Sequence, residues 1–360
     1  LLAVIDLIVG VSNDAVNFLN SSIGSKADSF KTTMIVASLG VLVGAMFSSG
    51  MMEIARSGIF VPSMFSFNDV MIIFLAVMIS DILLLDVFNS LGLPTSTTVS
   101  IIFELLGAAV CLALYKIYTS DETLDHLGMY INTKKASTIV YSILLSVILS
   151  FSLGSFIQYI SRLIFTFHYE KKLKYFGTIF GGVAITAITF FILIKGLKGV
   201  SFISAAQFEW IDQHQFLILG VNFVVFLILS QVLISYFKVN ILRVIIVIGT
   251  FALALAFAGN DLVNFIGVPI AAFNSYQIFQ GSGVSGDEFM MGALANDDIV
   301  APFYFLLFAG VVMVITLWTS KKAKSVIETG VNLSRQGDGD EKFTPNTASR
   351  FIVRLGVYIG

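Results

Sequence analysis

Nine apolar stretches of about twenty residues succeed one another along this chain, near 1–24, 33–52, 70–91, 97–118, 137–160, 176–195, 214–236, 241–266 and 300–318. A helix rises about 1.5 Å per residue, so about 20 apolar residues match the roughly 30 Å hydrocarbon core of a bilayer. In lipid every backbone N–H and C=O must be paired within the protein, which leaves only helices and closed barrels. Barrel strands would be alternating segments of about ten residues, unlike these runs. The expected fold is an all-α polytopic membrane protein. Composition agrees: 57% of the 360 residues are hydrophobic and 12% charged, against about 25% charged in soluble proteins. A soluble enzyme is excluded. The single cysteine, Cys111, leaves no intrachain disulfide and no cysteine-built metal cluster.

Leu1 already lies in an apolar run with no charged n-region before it, and the last residues, FIVRLGVYIG, follow a polar stretch like the start of another apolar segment. An internal piece of a longer chain is expected. The loop after the fifth stretch carries Arg162, Lys171, Lys172 and Lys174 against Glu170, and the segment after the ninth opens with Lys321, Lys322 and Lys324. The positive-inside rule assigns both to the cytoplasm. The loop at 119–135, with Asp121, Glu122 and Asp125 against Lys134 and Lys135, then lies outside, as does residue 1.

Ser12-Asn13-Asp14-Ala15-Val16-Asn17-Phe18 in the first stretch is matched by Gly259-Asn260-Asp261-Leu262-Val263-Asn264-Phe265 in the eighth, with five of seven positions identical and a constant offset of 247. An Asp in mid-membrane costs roughly 2.5–3.5 kcal/mol on insertion scales, so two such copies are not accidental. By the loop charges one runs inward and the other outward. An inverted-topology repeat that brings matching elements to the midplane is the architecture of secondary transporters. On a helix Asn13, Asp14 and Asn17 share a face, as do Asn260, Asp261 and Asn264. Their oxygens suit a small alkali cation such as Na+. No His or Cys joins them, so a transition metal is not expected.

A third element is Gly92-Leu93-Pro94-Thr95-Ser96-Thr97-Thr98. Pro forbids continuous helix, so the chain is expected to break and restart at Ser96 or Thr97. The restarted helix presents free N–H groups, a positive dipole end and three hydroxyls, which is a site for an anion.

Two Asn-Asp-x-x-Asn segments and a Pro-x-Ser-Thr-Thr hairpin resemble the inorganic phosphate transporter family, the sodium- or proton-coupled phosphate permeases. The resemblance implies symport of inorganic phosphate with Na+ or H+ through an inverted-repeat fold with broken helices and re-entrant Ser/Thr hairpins, without cofactor or nucleic acid. Carried over by position, phosphate would be held by Asp14, Ser96, Thr97, Thr98, Asn260 and Asp261, and the cation by Asn13, Asp14, Asn17, Asp261 and Asn264. Asn13 and Asn260 could serve either ligand. The chain departs from the family pattern in three places. Val99 stands where a His commonly follows the hairpin; an acid of the second stretch is replaced within Ala37–Val41; and no second hairpin follows Asp261, so it is expected beyond residue 360.

On this reading 1–160 is a first repeat, 161–240 connecting helices, 241–320 the start of the second repeat, 321–348 a polar cytoplasmic linker and 349–360 a further apolar segment. A multi-pass protein of a bacterial inner membrane is expected, with a homodimer as the assembly considered. The rivals are a permease for another oxyanion such as sulfate, a channel, and an intramembrane enzyme using Asp14 and Asp261 as a dyad. Asp81, Asp86 and Glu104 either line a pathway or pair helices. Glu53 with Arg56 reads as a surface pair, and His126, His168 and His214 lie in loops or at span ends. The stretch 274–298, with glycines among Asp287, Glu288, Asp297 and Asp298, reads as an extracellular loop.

Overall fold

The structure, a computed structural model, describes residues 1–46, 48, 58–120, 123–166, 169–193, 205–295 and 302–334, with isolated positions from 347 to 357. The helices are α1 (Leu2–Ser25), α2 (Phe30–Met46), α3 (Phe67–Leu91), α4 (Thr97–Thr119), α5 (Leu127–Tyr130), α6 (Thr133–Phe165), α7 (Tyr169–Phe191), α8 (Ala205–Gln213), α9 (Gln215–Ser235), α10 (Ile241–Phe279), α11 (Phe303–Thr319) and α12 (Lys321–Leu333). Extended pairing among the described residues is confined to two isolated bridges, Phe60 with Ile131 and Ser66 with Met290. Each of the nine apolar stretches carries a helix over most of its described part, and six helices are long and apolar enough to cross a membrane, or seven crossings if α11 and α12, bent by 70°, form one. The chain is an all-α polytopic membrane protein.

Two buried apolar clusters organise it. One gathers α1, α2, α10, α11 and α12 around Val11, Ala15, Val41, Leu262 and Phe265. The other gathers α3, α4 and the 59–65 segment around Phe60, Phe74, Ile101 and Leu105, and reaches α10 at Val268. α2 lies closely on α10: a Cβ on Gly44 would meet the Leu255 carbonyl oxygen at 2.2 Å. Without a hydrophobic driving force between helices in lipid, such close approach is what gains packing energy. α6, by contrast, buries only Ala136 and Phe165 along its 33 residues. Its row of exposed Leu, Ile and Phe side chains suits contact with lipid.

Two expectations need correction. The first part of the polar linker expected at 321–348 is a packed helix, because the chain is helical to Leu333 and buries Ala323, Val326, Ile327 and Gly330. Those positions recur at helical spacing, but the intervening lysines dilute any hydropathy window. α12 runs along the second half of α1, with Gly330 on Val16, Val331 on Gly24 and Asn20 near Ser334. Lys321, Lys322 and Lys324 therefore sit on a packed helix, and the charge count that oriented the chain loses one of its loops. The eighth stretch does not stop near 266 either. α10 continues through Pro269 to Phe279, because the residues around the proline, Val268, Ile270 and Ala271, are buried in neighbouring helices. Residues 274–279, expected in a loop, are therefore helical, and the turn that follows bonds to the start of α3, Phe67 N–H donating to Phe289 O at 2.8 Å. Glu53, Arg56, Asp121, Glu122, His168, Asp297, Asp298 and most of the 332–346 stretch lie outside the described residues.

Candidate functional site

The break between α3 and α4 forms as its residues dictate. Gly92 closes α3 in the left-handed region, φ 65° and ψ 37°, which a glycine adopts without steric cost. Leu93 N–H then bonds back to Phe88 O at 2.8 Å. Pro94 prevents the helix from resuming at once, and Ser96 caps α4 by accepting from Val99 N–H at 3.4 Å. The restart at Thr97 is where the sequence places it. Each limb of this hairpin is long enough to span, yet its turn lies against the middle of α1 and of α10.

α1 and α10 cross antiparallel, and the crossing is centred on the two aspartates. Phe18 packs on Phe257 with ring centroids 5.0 Å apart, while Phe265 lies where a Cβ on Gly10 would be, 2.0 Å from that position. The 247-residue offset converts one of these pairs into the other: Phe18 becomes Phe265 and Gly10 becomes Phe257. The duplicated segments are thus related by a local two-fold exchange, with Asp14 and Asp261 midway between their contact pairs. Gly10 permits this approach, since any larger residue would displace the fully buried Phe265 ring.

The start of α4 joins the aspartates. Thr97 donates its hydroxyl to Asp14 Oδ2 at 2.7 Å, and Thr98 donates to Asp261 Oδ1 at 3.2 Å. Asn17 Nδ2 donates to Asp14 Oδ1 at 3.2 Å. Asn264 Nδ2 donates both to Asp261 Oδ1 at 3.3 Å and to Thr98 Oγ1 at 2.9 Å. Asp14 is buried and Asn17 exposed, so the first copy leads from the interior to an open edge. Two carboxylates, two amides, two hydroxyls and a helix start therefore share one locus. The ion pairs given by described residues lie elsewhere, at Lys116–Asp69, Arg243–Asp28 and Lys322–Asp86. Neither Asp14 nor Asp261 has a cationic side chain among them.

The remaining expected residues divide. Asn13 is fully buried and is turned to the break: its Nδ2 donates to Asn89 Oδ1 at 2.9 Å and Leu93 O at 3.0 Å, and its Oδ1 accepts Thr95 N–H at 2.8 Å. It braces the hairpin. Asn260 is half-buried, and its side-chain amide makes no hydrogen bond among the described residues. Ser96 is exposed, and its hydroxyl serves as the cap. Sequence reasoning missed Asn89, which donates to Val9 O at 2.7 Å and ties α3 to α1. Its signal was an amide in the last turn of an apolar helix. It also missed the Ser12–Ser320 contact at 2.8 Å, where the α11–α12 bend meets α1.

The family model described as "Phosphate transporter family" matches residues 10–332. A protein of Pyrococcus abyssi named "Putative phosphate permease" is 30% identical over 273 residues, covering 72% of this chain and 62% of that protein. A protein of the same description from Thermococcus kodakarensis is 28% identical over 278 residues, with the same shares. The chain thus spans less than two thirds of the length of these curated relatives. A solved structure named "The sodium-dependent phosphate transporter" superposes with a TM-score of 0.62 at 18% identity, over 92% of this chain and 80% of that one. At that identity the likeness is one of fold.

Proposed function

Since this chain belongs to the phosphate transporter family, we propose that it moves inorganic phosphate across the membrane together with Na+ or H+, by alternating access around the locus between α1, α10 and the α3–α4 turn. The observation that carries this reading is a single helix start bonded to two carboxylates, Asp14 buried and Asp261 half-buried, that have no cationic side chain among the described residues. Phosphate would sit at that start, using the free N–H groups of the first turn of α4 and the hydroxyls of Thr97 and Thr98, with Ser96 and Asn260 at the margin. Its P–OH would donate to Asp14 or Asp261. The same carboxylates repel an anion until a cation lies between them, which makes cation binding a condition of phosphate binding. Asp14 with Asn17 and Asp261 with Asn264 would hold that cation through their oxygens, and Asn13 would set the position of the turn.

Each aspartate takes its own threonine, which argues against a proton-sharing dyad of the enzymatic kind. Sulfate has no proton to give an aspartate at neutral pH, which favours phosphate. We assign the repeat boundaries at 160 and 241, and a place in a bacterial inner membrane, as parts of the same proposal. Uptake of labelled phosphate into proteoliposomes tests it, with Na+ exchanged for choline, then with a pH gradient imposed, then with sulfate as competitor. Uptake that depends on one of the cations and is lost in Asp14→Asn and Asp261→Asn is expected; uptake indifferent to both cations and both substitutions overturns it.

A further inference from the structure

A second group of acids lies apart from this locus. Asp6 on α1 and Asp81 on α3 are each 0% exposed, and their carboxyls lie close enough to interact. Ser100 on α4 has its Oγ 2.8 Å from Asp81 Oδ1 and 2.9 Å from Glu104 Oε1. Both oxygens of Asp6, Oδ2 of Asp81 and Oε2 of Glu104 are buried and receive no donor from the described residues. Glu104 lines a cavity of about 520 Å³ between α3 and α4, with Ser80, Cys111 and Tyr115 further along its wall. An unpartnered, fully buried Asp6 aimed at Asp81, and a cavity that ends on Glu104, call for a ligand.

Among the described residues no cationic side chain forms an ion pair with the group. Of the basic residues on the elements packed around it, Lys116 pairs with Asp69, Lys322 with Asp86 and Arg243 with Asp28; Lys31, Lys321 and Lys324 are exposed. Tyr276 and Tyr304 of α10 and α11 are exposed as well, and Asp14 is a further acid within electrostatic reach of Asp81. Three bare carboxylates in an apolar interior would cost far more than a fold of ordinary stability can offset. A metal ion does not fit: no group of three or more His, Cys, Asp or Glu among the described residues converges on one point. The acids stand in a row, Glu104–Ser100–Asp81–Asp6. The single hydroxyl hydrogen of Ser100 cannot point at both its carboxyl neighbours, and the Asp6–Asp81 contact contains no hydrogen at all unless an acid brings one.

We propose that Asp6, Asp81 and Glu104, joined through Ser100, form a proton path distinct from the Asn-Asp locus, entered from the α3–α4 cavity at Glu104 and ending at Asp6. At the serine, Glu104 Oε1 gives its hydrogen to Ser100 Oγ as Ser100 gives its own to Asp81 Oδ1, so one O–H bond forms for each that breaks and the serine is unchanged. An Asp81 that already carries a hydrogen on Oδ2 passes that one to Asp6, and the hydrogen received at Oδ1 keeps the Asp81 carboxyl neutral. Asp81 lies within electrostatic reach of Asp14, so filling the path removes a negative charge that opposes phosphate. That use of the path rests on the symport reading above; proton binding itself does not.

Infrared difference spectroscopy of the solubilised chain, between acid and alkaline buffer, reads the carboxyl C=O stretch directly. The expected result is a buried-carboxyl signal that loses one component in each of Asp6→Asn, Asp81→Asn and Glu104→Gln and persists when Na+ is replaced by choline, with Asp14→Asn and Asp261→Asn run alongside to identify the other site. A signal that disappears when Na+ is added, or that all three variants leave at wild-type intensity, overturns the inference. Glu104→Gln, isosteric and at the cavity wall, serves if the deeper variants fail to fold, and carbodiimide labelling of Glu104 in the unaltered chain, followed by mass spectrometry, needs no variant. Labelling absent at acid pH also overturns it. A persistent signal in a chain that takes up no phosphate overturns the symport reading and leaves the proton path standing.

Discussion

The two Asn-Asp segments are nearly the same in sequence and differ in how firmly they are held. In α1, Asn13 makes three hydrogen bonds to the hairpin and to Asn89, and Asp14 takes a 2.7 Å bond from Thr97. In α10, Asn260 has no such bracing among the described residues, and Asp261 takes longer bonds, 3.2 Å from Thr98 and 3.3 Å from Asn264. Identical residues acquire different roles because, among the described residues, the backbone of the α3–α4 turn bonds to Asn13 of the first copy and not to Asn260 of the second. Sequence duplication specifies the crossing; the neighbouring turn specifies which copy is rigid.

The comparison is broken most severely at the carboxylates. Asp14→Asn should reduce phosphate uptake by roughly 10–100-fold, the scale of a lost charge-assisted hydrogen bond of about 1.5–3 kcal/mol, and Asp261→Asn by less; equal losses in a transport assay would remove the asymmetry. The next largest effect separates the asparagines by stability instead of uptake. Asn13→Ala leaves Thr95 N–H, Leu93 O and Asn89 without their partner, at about 1–3 kcal/mol for a buried unsatisfied group, and should lower the melting temperature in detergent. Asn260→Ala should leave it unchanged while weakening uptake. Gly10→Ala probes the crossing itself: overpacking against Phe265 should cost about 1–3 kcal/mol, read by the same melting measurement, and a neutral result would mean that the local two-fold contact is loose.

The smallest effect lies at the end of α1. Ser29 N–H, and after it the Arg243 guanidinium, hold the Asp28 carboxyl below its ordinary range. A lowered pKa means that the unfolded chain binds the proton more readily, so stability from this contact is present above the usual carboxylate pKa and fades as pH falls through the folded value. Asp28→Asn should show a slightly lower melting temperature than wild type at neutral pH, and the difference should close in acid. A gap that widens in acid contradicts the assignment.

The helices and the broken turn were legible because their signals are local: apolar runs of membrane length, and Gly92 and Pro94 bracketing a hydroxyl cluster. Asp14 and Asp261 were legible because an acid in an apolar run is costly and theirs recurs. α12 was hidden because its buried residues are interleaved with lysines, and the length of α10 because Pro269 imitates a stop. Asp81 and Glu104 were visible as acids without a role, since their partner Asp6 lies on another helix and no spacing along the chain connects them. The bracing bonds of Asn13 could not be read from its own neighbourhood, because their partners Asn89, Leu93 and Thr95 lie 76 to 82 residues away.

Hydropathy period, the duplicated motif and turn chemistry are properties of neighbouring residues, and through them the chain alone determined a helical membrane fold with two matching polar segments and a helix start suited to an anion. Which side chains meet was decided only in three dimensions. Thr97 reaches Asp14 across 83 residues and Thr98 reaches Asp261 across 163, contacts set by how helices pack on Gly10 and Gly44. The antiparallel crossing, the acid row and the unequal bracing of the two copies follow from that packing, because a buried polar group is defined by the partner that satisfies it and not by its own identity.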